Sequence, residues 1–327
     1  MINPLQSLYA WTVRRRNAQF DSGKRPAVQV TKPVISVGNI TAGGTGKSPA
    51  VQLVAGILMG NGLRPAIVLR GYKRRSKGLV VVHDGISVCA TVDRAGDEAY
   101  MHAIMLNVPV VVSTDKVEAA AYAAGCLPCD VIIVDDGYQH RALHRCIDVV
   151  LVNEETLTST LLPSGRLREP ISELRRASII VCADASFEPR VQDFSAPSAL
   201  VVSSAVELKC DAPCERPVVI VSGIAHPDRM RVSLEQAGYR VVQHIVYDDH
   251  HRYRTRDIWN IRDAAASMNA VVVTTDKDIA KIRSVDSSND LNAISVYVAH
   301  ISMRIDKPEF TERILQDIRN EDRRLEE

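Results

Sequence analysis

The sequence predicts an α/β protein: a mostly parallel sheet flanked by helices, followed by a second, smaller α/β domain. Three observations carry this. Short β-branched runs alternate with helix-like segments, as strands joined by crossover helices do. The runs are continuously apolar, as strands covered on both faces must be. The chain has 327 residues, more than the roughly 100–200 of one domain, and Ser, Pro and Asp gather over Asp184–Ser198. The expected division is 1–195 and 196–327.

The elements follow in order. Leu5, Leu8, Tyr9 and Val13 recur near helical spacing, with Arg14, Arg15 and Arg16 after them. This N-terminal helix reads either as an interfacial helix with lipid-binding arginines or as a helix packed on the sheet. Strands are expected near Pro33–Val37, Ala66–Leu69, Leu79–His83, Val108–Ser113, Val131–Val134, Ile147–Val152 and Ser178–Cys182. A second set is expected near Leu200–Ser203, Val218–Val221, Val241–Ile245, Ala270–Thr274 and Ala293–Val298. Helical patterns lie at Pro49–Asn61, Asp97–Leu106, Lys116–Ala124 and Arg256–Met268, and Pro308–Glu327 reads as a charged surface helix.

Composition narrows the partners. Lys and Arg number 40 against 39 Asp and Glu, a net charge of +1. No global basic field draws such a chain to nucleic acid, and none is expected as a partner. The seven cysteines are scattered, with one close pair in Cys126-Leu127-Pro128-Cys129 and no second pair at zinc-finger spacing. Reduced thiols in a reducing compartment are the expectation. The apolar runs fall short of the ~20 residues of a membrane span. At the N-terminus the basic residues follow the apolar ones, the reverse of a signal peptide.

The chemistry begins at Gly38-Asn39-Ile40-Thr41-Ala42-Gly43-Gly44-Thr45-Gly46-Lys47-Ser48. A strand runs into a glycine-rich turn, then Lys-Ser, then a helix opened by Pro49. Backbone N–H groups freed by glycine can wrap phosphates, and the helix N-terminus adds a positive dipole end. Lys47 would neutralise the β- and γ-phosphates, and Ser48 would hold Mg²⁺. The fold is therefore expected to be P-loop NTPase-like, with ATP bound through Thr41 to Ser48. The standard pattern has Gly where Thr41 stands. Downstream, the apolar strand Val131–Val134 delivers Asp135-Asp136 to its C-terminal end, where α/β ligands and their metal sit.

These residues carry a family resemblance. The loop through Pro49 resembles the P-loop of the tetraacyldisaccharide 4′-kinase family, which has Ser or Thr at the position of Thr41. Arg70-Gly71-Tyr72, Gly96-Asp97-Glu98, Asp135-Asp136-Gly137-Tyr138-Gln139-His140 and Leu162-Pro163-Ser164-Gly165-Arg166-Leu167-Arg168-Glu169-Pro170 are similar to motifs of that family. Gly223-Ile224-Ala225-His226-Pro227, Asp249-His250 and Thr275-Asp276-Lys277-Asp278 follow in its order. The likeness spans roughly residues 4 to 305. It departs from the pattern at Ala99, where the family usually has Pro, and at Asp276, where it commonly has Glu.

The resemblance implies ATP-dependent phosphorylation of the 4′-hydroxyl of a tetraacylated glucosamine disaccharide 1-phosphate, a lipid A precursor. It implies two α/β domains joined by a hinge, and work at the cytoplasmic face of the bacterial inner membrane. A monomer is expected. Asp97 is the expected base with His250 as its partner, although Asp97 could be a helix N-cap and the adjacent His251 makes the register ambiguous. Lys47 completes the expected catalytic set. Ser48, Asp135, Asp136 and Glu169 are candidates for Mg²⁺, and Asn39, Arg70, Gln139, His140 and Arg168 for substrate. Arg168 would face phosphate, which Arg can hold bidentately, or form a surface ion pair with Glu169. His140 would meet substrate or brace the loop. Asp276-Lys277-Asp278 reads as a structural ion cluster at a strand end.

Two other functions compete. A P-loop GTPase or metallochaperone-type switch would need Asn/Thr-Lys-x-Asp for guanine. Asp276-Lys277-Asp278 lacks the spacer, and Thr114-Asp115-Lys116 is followed by Val117. A nucleotide-sensing scaffold docked on membranes would show no acceptor-dependent turnover.

Overall fold

The computed structural model describes residues 4–285 and 294–327. Eight strands form the larger sheet: β1 Val34–Asn39, β2 Pro65–Leu69, β3 Val80–His83, β4 Val110–Val112, β5 Val131–Asp135, β6 Ile147–Val152, β7 Ile179–Cys182 and β8 Leu200–Ser203. Their spatial order is β3-β4-β2-β5-β1-β6-β7-β8. All neighbours are parallel except β3 and β4. Five strands form the smaller sheet: β9 Ala205–Cys210, β10 Val218–Ser222, β11 Val241–Val246, β12 Val271–Thr275 and β13 Val296–Arg304. They lie in the order β11-β10-β12-β13-β9, with β9 antiparallel to β13.

Eleven helices are described: α1 Pro4–Asp21, α2 Lys47–Gly60, α3 Val92–Ala95, α4 Asp97–Leu106, α5 Lys116–Cys126, α6 Glu154–Thr158, α7 Glu188–Gln192, α8 Pro227–Gln236, α9 Thr255–Ser267, α10 Asp276–Val285 and α11 Pro308–Glu326. The central strands β1, β2, β5 and β6 are buried along their whole length, as their continuous apolar runs require. Helix α2 covers one face with Ala50, Val51, Val54, Ala55 and Leu58, and α5 covers the other with Ala119, Ala120 and Ala123.

Three expectations change. Leu200–Ser203, expected in the second set of strands, pairs with β7 and closes the first sheet. Strand β9 went unforeseen and β13 extends to Arg304, past the expected Val298. In this pair Val206 and Leu208 alternate with Glu207 and Lys209, and Ile301 and Met303 with Ser302 and Arg304. That alternation departs from the continuous run of a buried parallel strand, and β9 lies at the edge of its sheet with Val206 exposed. Ala293, where the last strand was expected to start, lies outside the described residues. The C-terminal helix α11 is not merely a charged surface element. Phe310, Ile314 and Ile318 are buried in the core of the larger sheet. Each contributes about 1.5–3 kcal/mol by leaving water.

The chain thus leaves the larger sheet at β9, builds the smaller sheet, and returns through β13 to end on the larger one. Met303 and Ile305 at the end of that return pack into the larger core.

Candidate active site

Strands β1 and β5 are in register, Val37 opposite Asp135, so both deliver their C-terminal residues to the same edge of the sheet. The chain leaves β1 to one side through α2 and β2, and leaves β5 to the other side through β6. Such a reversal opens a crevice for ligands at strand C-termini. Gly38 permits the close approach of the two strand ends: a Cβ there would lie 2.9 Å from the Cβ of Tyr138.

From Asn39 the chain turns into α2 with Gly43 and Gly46 at φ of 125° and 85°, values that only glycine adopts without strain. The buried Asn39 side chain braces this turn, donating to Thr41 Oγ1 at 3.2 Å and Thr45 Oγ1 at 2.7 Å. Thr41 is fully buried and forms part of that brace. The segment Arg166–Arg168 runs beside the loop. The Ala42 N–H donates to the Arg166 carbonyl and the Arg168 N–H to the Ile40 carbonyl, both at 2.7 Å.

Lys47 opens α2. Its Nζ donates to the Gly43 carbonyl at 3.3 Å and lies 3.6 Å from Asp136 Oδ1. Arg168 donates to the other oxygen of Asp136 at 2.9 Å. Asp136 sits at a φ of 50°, a left-handed conformation costing ~1–2 kcal/mol for an L-residue. Lys116 Nζ holds that bend by donating to the carbonyls of Asp135 and Asp136 at 2.7 and 2.6 Å. Burial, then the charges of Glu98 and Asp136, push the Asp135 carboxyl up to about 7. Its neighbour His102, 4.0 Å away, is pushed down to about 4 by burial. Oδ1 of Asp135 and Oδ1 of Asp136 are both buried without a hydrogen-bond partner. Two hard oxygen donors in that condition beside a phosphate loop suit Mg²⁺, and a divalent charge there would reverse the cause of the Asp135 shift.

Glu169 is differently engaged. It is 1% exposed, and its oxygens accept from Arg176 at 2.7 Å, Gln139 at 3.1 Å and Asn17 of α1 at 3.1 Å. Gln139 also donates to the Asn39 carbonyl at 2.9 Å. Helix α1 is tied to the same loop, for Tyr9 Oη donates to the Arg168 carbonyl at 2.9 Å and Arg16 to the Gln139 carbonyl at 2.7 Å. Tyr9, Val13, Arg16, Gln139, Leu162 and Arg168 line a cavity of about 290 Å³ beside Glu169. The outer face of α1 leaves Leu5, Leu8 and Trp11 more than half exposed, with Arg15 over the Trp11 ring. Arg70 is exposed at the end of β2. His140 is half-buried, and burial lowers its ring to about 4.

Asp97 opens α4, with Gly96 in the cap position, so it does not cap the helix. Its Oδ2 accepts from His250 Nδ1 at 3.0 Å and from Lys281 Nζ at 3.1 Å. Burial pushes the Asp97 carboxyl up, but His250 and Lys281 together outweigh it and hold it below the ordinary carboxylate range. Of the two adjacent histidines, His250 meets Asp97, whereas His251 stacks on Tyr247 and bonds Asp257 at 3.0 Å. Tyr72, from the Arg-Gly-Tyr turn, sets its ring edgewise to His250 at 5.5 Å. Next door, Glu98 accepts from Lys277 at 2.9 Å, and the field of Lys47 reaches Glu98. The expected ion cluster at Asp276-Lys277-Asp278 is present at the start of α10, and it extends across to α4.

Three further charged groups of the site take no role from the motifs: Lys116, Glu98 and Lys281. One signal was readable. Lys116 stands in the first turn after the N-cap Asp115, where the helix dipole disfavours a cation unless anions or carbonyls receive it.

Comparison with known proteins shows the family. A model of the family described as tetraacyldisaccharide-1-P 4'-kinase matches residues 1–319. The chain is 33% identical to the tetraacyldisaccharide 4'-kinase of Aquifex aeolicus (strain VF5), covering 88% of this chain and 91% of the relative. It is 35% identical to that of Chlorobium luteolum, covering 85% of each. A crystal structure of LpxK from Aquifex aeolicus in complex with ATP superposes with a TM-score of 0.81 at 30% identity, covering 96% of this chain and 98% of that one. A strand-to-helix phosphate loop, paired aspartates on the adjacent strand and a match over nearly the whole length make this chain a member of the tetraacyldisaccharide-1-P 4'-kinase family.

Proposed function

We infer that the chain transfers the γ-phosphoryl group of ATP to the 4′-hydroxyl of a tetraacylated glucosamine disaccharide 1-phosphate. The observation that carries this is the meeting of Asp97 with His250, next to Glu98, on which the charge of Lys47 from the phosphate loop acts. A nucleotide switch or scaffold needs the loop, but it has no use for a base facing an acceptor.

In this reading the amides of Gly43 to Ser48 and the Lys47 ammonium hold the donor phosphates, while Thr41, buried, and Ala42, whose N–H is taken by the Arg166 carbonyl, shape the loop rather than bind. Ser48, Asp135 and Asp136 would hold Mg²⁺, which when bound neutralises charge on the transferring phosphoryl group. The interactions of Glu169 suit it to hold the 166–169 segment, so that Arg168 stays against Asp136. The acceptor oxygen attacks the γ-phosphorus, the bond from phosphorus to the ADP oxygen breaks, and the hydroxyl proton passes to Asp97. His250 keeps the carboxylate oriented by donating from Nδ1. Gln139, His140, Arg70 and Arg168 are proposed to border the acceptor, and Asn39 to act on it through the loop it braces.

No helix among the described residues is long and apolar enough to cross a membrane. The outward Leu5, Leu8 and Trp11, flanked by arginines, support peripheral attachment at the cytoplasmic face of the bacterial inner membrane. One assay tests the whole reading. Labelled ATP is supplied with acylated disaccharide 1-phosphate, in detergent and in anionic vesicles, and the product is examined for a 4′-phosphate. Label in that position is expected, and GTP preference or ATP hydrolysis without acceptor would defeat the assignment. A Leu8→Asp/Trp11→Ser variant should lose vesicle binding by roughly tenfold while turning over the detergent-solubilised acceptor normally.

A further inference from the structure

We propose that Lys281 is a positioning residue for phosphoryl transfer: anchored on Asp278, it fixes the Asp97 carboxylate so that Oδ1 stays open to the acceptor hydroxyl. The proposal rests on the phosphotransfer reading above.

Lys281 lies on α10 and is 6% exposed. A buried ammonium is costly unless carboxylates receive it. Two do: Asp278 Oδ1 at 2.9 Å, one turn earlier on the same helix, and Asp97 Oδ2 at 3.1 Å, 184 residues away in sequence. Asp278 alone would serve as a structural counter-ion, so the reach to Asp97 calls for its own reason.

The reason lies in how the frame closes. Asp278 is fully buried, and its Oδ2 accepts from the Gly223 N–H at 2.9 Å and from Thr275 Oγ1 at 2.7 Å. The Gly223 carbonyl in turn accepts the His250 N–H at 3.1 Å. One carboxylate therefore anchors both members of the dyad, His250 through the Gly223 backbone and Asp97 through Lys281. Gly223 leaves room for this, since a Cβ there would meet Asp278 Oδ1 at 3.2 Å. His250 stands at a φ of 64°, a conformation that needs such support.

The consequence is chemical. Both hydrogen bonds to Asp97 converge on Oδ2. Among the described residues none falls on Oδ1, which is left as the oxygen that can take the hydroxyl proton. The other charged groups facing the pair are Asp249, 3.6 Å from His250 Nε2, and the Glu98–Lys277 ion pair. The Tyr72 ring lies beside His250, and the Tyr253 ring is 5.7 Å from the Lys281 ammonium. With Lys281 present, Asp97 has a cationic partner even when His250 is neutral. Without it, Asp97 and the buried Asp278 lose the cation they share, and the imidazole is the one hydrogen-bond partner left to Asp97 Oδ2 among the described residues.

The test compares the full-length wild type with Lys281→Met, Lys281→Arg and Asp97→Asn, measuring kcat, KM for ATP and the acid limb of the kcat–pH profile. Lys281→Met should lower kcat by roughly 10- to 100-fold, the scale of a misplaced catalytic group, with KM for ATP within about twofold. Its acid limb should move to higher pH, because a carboxylate that loses a neighbouring cation becomes less acidic. Lys281→Arg should recover most of kcat. If Lys281→Met does not fold, Asp278→Asn/Lys281→Met leaves no unpaired charge in the core and should still lose tenfold or more of kcat, by the same argument. A folded variant with kcat within about twofold of wild type overturns the proposal. So does a loss of kcat in Lys281→Met with an unmoved acid limb, which marks a merely structural ion pair. Asp97→Asn separates the two levels. If it stays active, the dyad itself is wrong, whereas an inactive Asp97→Asn beside a normal Lys281→Met removes only the role of Lys281.

Discussion

On the phosphate side of the site, strand, loop and helix are contiguous from Val34 to Gly60, and the paired aspartates arrive on the strand next door. On the acceptor side, Asp97 and His250 are 153 residues apart, one on a helix of the larger sheet and one after a strand of the smaller. The first side keeps its shape through local bonds such as Asn39 to Thr45. The second exists only while the two sheets are held together by Lys281, Lys277 and the β9–β13 crossing. The difference makes the proton removal proposed for Asp97 separable from donor binding.

The largest test of that separation sets Asp97→Ala and His250→Ala against Lys47→Ala. The first two should lower kcat by roughly 10²–10⁴, the contribution of a general base and its partner, while calorimetry finds ATP binding retained. Lys47→Ala should weaken ATP binding itself. Equal loss of ATP binding in all three would erase the distinction between the two sides.

A middle-sized effect concerns Asp135. Its folded-state value is raised to about 7, above the ~4 of an unfolded chain. The stability it lends is therefore complete below pH ~4 and is lost as pH rises through about 7. Mg²⁺ binding to the ionised carboxylate should restore it. The gain in thermal midpoint from Mg²⁺ should be several degrees larger near pH 8 than near pH 5.5, on the ~2–4 °C per kcal/mol expected of a large domain. Asp135→Asn should remove that pH dependence, and a gain that ignores pH would place the cation elsewhere.

The smallest effect is expected from Glu98→Gln. Its pair with Lys277 joins the two sheets but is about one-third exposed, and such pairs contribute ~0–1 kcal/mol. A change in kcat of at most about fivefold is expected. A loss as deep as that of Asp97→Ala would extend the acceptor side to include Glu98.

How much of this was legible follows the same line. The parallel strands were readable because burial on both faces leaves continuous apolar runs. The phosphate loop was readable because its glycines, Lys47 and Ser48 act through their immediate neighbours. Asp135-Asp136 gained meaning from the strand before them. Strand β9 escaped because an edge strand with no fully buried residue can carry a mixed composition, and Leu200–Ser203 fell on the wrong side of the division because a buried run does not say which sheet it joins. The choice between His250 and His251 could not be made locally, since both follow Asp249 on one loop. It was decided by the positive φ at His250 and by the Asp257 carboxylate that takes His251.

The sequence by itself determined the α/β architecture, the donor loop and, through the resemblance of its motifs, the reaction. Tertiary structure alone decided which oxygen of Asp97 is open, which carboxylates Lys281 joins, and that Glu169 is engaged by Asn17, Gln139 and Arg176. The physical reason is the range of the forces. Backbone conformation and apolar periodicity are set within a few residues of the chain. The value of a buried charge depends on partners brought to it from anywhere in the fold.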